Sequence, residues 1–318
     1  MDKTRFIVTR DDFSALLTEL RESGCSLFGP TLQNEAIVYD AIKGIEDLPA
    51  GWTDEQGAGS YRIRRRDDDA LFGYNVGPHS WRKFLQLPTL TLWKAHKTDA
   101  GFSIEAANDA TPQMAFIGVR PCELKAIGIQ DRVLTGGEHG DSDYAQRRQS
   151  VFIVAVQCTQ AGNTCFCVSM EAGPRAAAGF DLAVTEIIEA GRHDFVIETG
   201  SDAGVRMLAR VPHRPASEAD WEKAQDATAR SAAQMGRQLD TGDIKELLYR
   251  NAEHPRWNEV AERCLACASC TLVCPTCFCT DVADVTDLTG QTAERVQHWD
   301  SCFNSDFSYI HGGIIRQG

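Results

Sequence analysis
No long apolar run occurs in the sequence. The longest, "MAFIGV" (114–119) and "VFIVAV" (151–156), fall far short of the ~20 apolar residues a helix needs to cross a bilayer, so no membrane span is expected. The opening residues, "MDKTRFIVTRDDF", lack the apolar core of a secretory signal and the Arg-rich, acid-poor texture of a transit peptide. The expected compartment is the cytoplasm. Positive charge is scarce: 32 Lys and Arg stand against 45 Asp and Glu, a net charge of −13. That sign repels nucleic-acid phosphates. The basic run "RIRRR" (62–66) is followed at once by Asp67, Asp68 and Asp69, so it reads as a solvated strand or turn. Also missing are a G-x-G-x-x-G after a strand, a P-loop and a G-x-S-x-G, and none of the 8 histidines stands in an H-E-x-x-H spacing. These absences argue against a Rossmann nucleotide site and against a catalytic acid–base set, so no catalytic residue is expected.

Cysteine, by contrast, is abundant. A chain of 318 residues with 12 cysteines and no signal peptide is a poor disulfide scaffold, because a reducing compartment keeps its thiols free. The cysteines also cluster. Cys25 stands alone and reads as a buried structural thiol, four lie between 122 and 167, and seven lie between 264 and 302. Clustering of this kind is what metal-ligand sets look like.

The most specific motif is "CLACASCTLVCP", in which Cys264, Cys267, Cys270 and Cys274 precede Pro275. This is the bacterial ferredoxin run C-x2-C-x2-C-x3-C-P, whose tight spacing wraps one loop around three corners of a 4Fe-4S cluster and passes the fourth cysteine to a second cluster. A zinc ribbon is the lesser alternative, since zinc ligands usually come as separated pairs. Cys277 and Cys279 follow directly, and Cys302 comes later in "HWDSCF". Cys274, Cys277, Cys279 and Cys302 therefore make one complete four-thiolate set, and Cys264, Cys267 and Cys270 need one more ligand. Asp281, Asp284, His298 and Asp300 are nearby candidates; a three-iron cluster would need none.

The phrase Thr-Cys-Phe-Cys occurs twice, at 164–167 and 276–279. Upstream, Cys158, Cys165 and Cys167 form C-x6-C-x-C with Cys122 as a distant fourth; downstream, the form is C-x2-C-x-C with Cys302 as the distant fourth. Each repeat would give two thiolates to a four-cysteine site. The upstream set is expected to hold a further cluster, with zinc or plain buried thiols as alternatives. Phe166 and Phe278 would shield such sites from water or serve as ordinary core aromatics. On this accounting the chain carries two to three 4Fe-4S clusters.

Hydrophobic residues make up 43% and charged residues 24% of a chain long enough for two domains. A strand at 5–10 and a helix at 11–24 open it, and β-type runs ("EAIVYD", "YRIRRR", "ALFGYNV", "TLTLWKAHK") alternate with turns. The continuous apolar runs at 114–119 and 151–156 read as buried central strands, each running into a cysteine motif. From 215 the pattern turns helical. The expected fold class is α+β: a mixed α/β domain over 1–214 carrying one cluster, then a helical, ferredoxin-like domain over 215–318 carrying two.

Five stretches carry a family resemblance: "IGVRPCELKAI" (117–127), "DYAQRR" (143–148), "CFCVSMEAGP" with "GFDL" (165–182), "CLACASCTLVCPTCFC" (264–279) and "HWDSCF" (298–303). Together they resemble the iron–sulfur β subunits of cytoplasmic sulfhydrogenase-type nickel–iron hydrogenases and the related A subunits of anaerobic sulfite reductase. Glu171-Ala172 departs from the Gly-Thr usual there. The resemblance implies a non-catalytic subunit that relays electrons between a flavin- and NAD(P)H-binding diaphorase subunit and the hydrogenase small and large subunits, or a sirohaem subunit in the sulfite reductase alternative. A flavin oxidoreductase in its own right is a reading of another class, disfavoured by the missing nucleotide fingerprint.

Overall fold
A computed structural model describes residues 5–106, 111–189, 191–304, 309–310 and 312–314. Strand β1 (Arg5–Thr9) runs straight into helix α1 (Arg10–Glu22). Thr9 caps that helix, its hydroxyl accepting from the Asp12 N–H, and Asp11 and Asp12 lie at the positive end of its dipole. Strands β2 (Ser26–Gln33) and β3 (Ala36–Ala41) form a hairpin, as do β4 (Trp52–Gly57) and β5 (Ser60–Arg65). On β5, half-buried Tyr61 and Ile63 alternate with exposed Arg62 and Arg64, which makes most of "RIRRR" the solvated strand the sequence suggests. Next come α2 (Arg82–Leu85), β6 (Thr89–Thr98), β7 (Gly101–Ala106), β8 (Met114–Val119), α3 (Pro121–Leu134), α4 (Ser142–Gln149) and β9 (Val151–Val156). The hairpin β10 (Leu182–Glu189) and β11 (Arg192–Thr199) leads to α5 (Asp202–Leu208), β12 (Arg214–Pro215) and α6 (Glu218–Ala233). The chain continues through α7 (Ile244–Arg250), α8 (Arg256–Ala261), α9 (Ser269–Val273), β13 (Thr280–Thr286) and β14 (Thr292–Trp299). Helix and strand shares are nearly equal, 29% and 31%, so the class is α+β.

The chain divides into two compact units, one drawn from 1–79, 112–129 and 148–244, the other from 80–111, 130–147 and 245–318. In the first, an eight-stranded mixed sheet has the order β12-β1-β11-β10-β9-β8-β2-β3. Its centre, β10-β9-β8-β2, is parallel. Every residue of β8 is buried, as its unbroken apolar run predicts for a strand covered on both faces. Helix α1 packs on the sheet through Phe13, Leu16, Leu17 and Leu20, against Val8, Ile117, Val154, Val184 and Phe195. Each such fully buried side chain is worth roughly 1.5–3 kcal/mol of transfer free energy. Helix α6, helical as the sequence texture from 215 indicates, also packs on this sheet: Trp221 and Ala224 meet Ile7 and Val196.

In the second unit a four-stranded antiparallel sheet has the order β13-β14-β6-β7, beside the short helices α7, α8 and α9. One sequence expectation changes. The run "ALFGYNV" (70–76) forms no strand, because side chains take the backbone groups a neighbouring strand would otherwise bond. The Glu186 carboxylate accepts from the N–H groups of Leu71 (2.6 Å) and Phe72 (2.9 Å), while Arg120 donates to the carbonyls of Phe72 (2.8 Å) and Tyr74 (2.7 Å).

Candidate iron–sulfur sites
Parallel pairing of β8 and β9 puts the C-terminal ends of both strands on one edge of the sheet, where open α/β sheets gather functional residues. Val119 leads through Arg120 to Cys122, and Val156 leads through Gln157 to Cys158. A bulge at Gly118, with φ +91°, re-aims the end of β8; a Cβ there would meet Pro30 and Phe72 at 3.3–3.4 Å. The loop after β9 then brings Cys165 and Cys167 to the same place. All four cysteines line one open cavity of about 230 Å³, together with Arg120 and Met235.

Backbone bonds hold the loop. The Cys158 N–H donates to Pro174 O (3.0 Å), Cys165 N–H to Gly162 O (3.0 Å), and Gly162 N–H to the Cys165 sulfur (3.3 Å). Cys158 is buried, Cys165 and Cys167 are half-buried, and Cys122 is exposed while lining the same cavity. Desolvation by the cavity walls pushes all four thiols up, Cys167 to about 11; neighbouring thiols push Cys122, Cys158 and Cys167 further in the same direction. Four cysteines that line one cavity and resist becoming free thiolates together fit a metal group that brings positive charge of its own. Among the described residues no three His, Cys, Asp or Glu side chains form a single-ion site.

The second unit assembles the downstream set. The β13–β14 hairpin pairs Thr280 with Trp299, and one step beyond it the Asp300 N–H donates to Cys279 O (3.0 Å). The hairpin therefore returns Cys302 to the neighbourhood of Cys279, whose thiol is raised by desolvation and then by Cys277 and Cys302. Gln130 donates to Cys277 O (3.1 Å). The Arg82 guanidinium stacks on Trp299, 3.9 Å from the ring centre, within electrostatic reach of Cys277, Cys274 and Cys279. These four cysteines are half-buried, whereas Cys264, Cys267 and Cys270 are exposed. Ala266 and Ala268 flank Cys267 in left-handed conformation (φ +49° and +59°), curling the loop so that the Ala266 N–H donates to the Cys264 sulfur (3.4 Å). Hydrogen bonds from Ser269 lower the Cys267 thiol.

Of the candidates for a further ligand, Asp284 is held in a forked ion pair by Arg295 (both bonds 2.7 Å), His298 contacts Thr89 (3.2 Å), and Asp300 accepts from Asn304 (3.3 Å). Asp281 lies opposite His298 on the hairpin. Cys25 packs against the main core but is half-buried rather than buried. Phe166 and Phe278 are 42% and 48% exposed, so neither is a core aromatic; Phe166 lines the upstream cavity. Sequence reasoning did not single out Arg120 or Arg82. The available signal for Arg120 was a lone cation wedged between an all-apolar strand and Pro-Cys.

Residues 263–318 match the family model of a 4Fe-4S dicluster domain. The chain is 24% identical over 303 residues, 95% of its length, to the protein named sulfhydrogenase 2 subunit beta from Pyrococcus furiosus, 80% of which is covered. No helix among the described residues is long and apolar enough to cross a membrane. All seven downstream cysteines lie within the residues that match the dicluster model, and the likeness to that sulfhydrogenase β subunit runs along nearly the whole chain.

Proposed function
We propose that the chain is a cytoplasmic relay that carries electrons between a flavin- and NAD(P)H-binding diaphorase subunit and the small and large subunits of a nickel–iron hydrogenase. The observation that carries this reading is the convergence of Cys122, Cys158, Cys165 and Cys167 on one cavity in a chain that also matches a dicluster domain at 263–318. The likeness to a sulfhydrogenase β subunit favours hydrogenase over sulfite reductase as the catalytic partner.

Bound 4Fe-4S clusters supply one-electron chemistry, with potentials set by charge, hydrogen bonds to sulfur and exposure. The protein's part is to hold them. The upstream four thiols would ligate one cluster, Cys274, Cys277, Cys279 and Cys302 a second, and Cys264, Cys267 and Cys270 would supply three ligands of a third. In the upstream site the walls bury Cys158 and half-bury Cys165 and Cys167; in the ferredoxin loop the Ser269 and Ala266 donors meet the sulfurs.

The test is the iron, zinc and acid-labile sulfide content of the anaerobically purified full chain. About twelve irons, four per cluster, are expected. About eight would leave the upstream set empty, and zinc in place of iron would overturn the relay. In the assembled complex, Cys270→Ser should abolish nicotinamide-linked turnover while dye-linked hydrogenase activity persists. Loss of both together would assign the chain a structural role.

A further inference from the structure
Arg120 is 5% exposed and lines the cavity of the upstream cysteines. Its Nη2 is pinned by the carbonyls of Phe72 and Tyr74, its Nη1 stands 3.9 Å from the Cys158 sulfur, and its buried Nε has no hydrogen-bond partner. The segment that pins it is itself fixed by the Glu186 carboxylate through Leu71 and Phe72. The guanidinium is therefore held rigidly, at a depth where an uncompensated charge is costly. Of the nearby acids, Asp54 is buried and accepts from the Asn75 N–H, and Glu123 directs one carboxylate oxygen to the Arg120 backbone N–H (2.8 Å) and receives the Tyr39 hydroxyl on the other (2.6 Å). The group best placed to balance this charge is whatever the four sulfurs hold.

We propose that Arg120 is the fixed counter-charge of the upstream site, favouring its more negative, reduced state and so raising its reduction potential. This rests on the reading that these cysteines hold a cluster. The physics is Coulombic. Reduction adds one electron and makes the site one unit more negative, and a positive charge immobilised in a low-dielectric wall attracts the reduced state more strongly than the oxidised one. Because the guanidinium is already held by backbone carbonyls, little reorganisation accompanies the change.

The experiment is an EPR-monitored redox titration of the anaerobically purified full chain, with iron counted in every variant. Cys165→Ser identifies the signal by removing it with about four irons; if no iron is lost, the cluster reading fails and this inference fails with it. Arg120→Gln should keep the irons and lower the equilibrium constant for reduction at that signal about tenfold or more, about 59 mV per tenfold for one electron. Arg120→Lys keeps the charge while breaking the guanidinium fork, so its potential should stay near wild type. Irons lost from Arg120→Gln but kept in Arg120→Lys would also support the counter-charge, because both variants break the fork and only the charge separates them. An unchanged potential in Arg120→Gln, an equal shift in both variants, or loss of the irons from both would overturn it.

Discussion

Asp220 shows how a single carboxylate anchors a helix that packs on the first sheet. It accepts from the Ser217 N–H (3.0 Å) and from Arg214 (2.8 Å), while the Ser217 hydroxyl accepts from its own N–H (3.2 Å), a capping box at the start of α6. The Arg214 bond, chiefly, holds the carboxyl well below the usual carboxylate range. A depressed carboxyl stabilises the fold above its unfolded value, about 3.9, and that contribution is lost as pH falls through the folded value. Asp220→Ala should therefore cost about 1 kcal/mol at pH 7, with the difference from wild type constant down to about pH 5 and shrinking below about pH 4. Urea unfolding across that range checks it. A difference that grew on acidification would contradict the assignment. At this scale the cysteines were legible because their spacing is chemistry in itself. Arg120 was not, because a lone arginine acquires a role only from what surrounds it.

Elements explain how distant cysteines become neighbours. Cys122 and Cys158 meet because β8 and β9 are parallel and adjacent; Cys302 reaches Cys279 because β13 and β14 pair. The apolar runs predicted buried strands but not their neighbours, since strand order depends on pairings between residues far apart in sequence. The segment 70–76 illustrates the opposite limit: its β-type pattern is overridden by Glu186 and Arg120, which satisfy its backbone from the side. Beyond α6 the chain folds back over the upstream loop. The Arg237 N–H donates to Cys165 O (3.0 Å), and a Cβ on Gly236 would sit 2.0 Å from Asn163 O. Gly236→Ala should force this crossing apart, costing about 1–3 kcal/mol and emptying the upstream site of about four irons. Iron analysis and a thermal melt together test this; full iron with an unchanged melting temperature would mean that the approach is not needed.

On the scale of the whole molecule the two units differ in what holds them. The first has an extensive apolar core across its eight-stranded sheet. In the second, every residue from 252 to 267 is exposed, Trp257, Val260 and Leu265 included, so the ferredoxin loop has little apolar burial of its own. Metal binding then becomes folding free energy for that loop. Removing iron with a chelator should leave amide protection of β8 and β9 intact while residues 252–270 exchange freely, measured by hydrogen exchange. Equal protection with and without iron would refute this dependence. The sequence by itself pointed to the iron–sulfur chemistry and the α+β class, because ligand spacing and apolar periodicity are local properties. Tertiary structure alone decided that α6 belongs with the first sheet, that 70–76 is no strand, and that buried Arg120 stands beside the upstream cysteines. Those outcomes depend on burial and on hydrogen bonds between residues far apart in sequence, which no local pattern encodes.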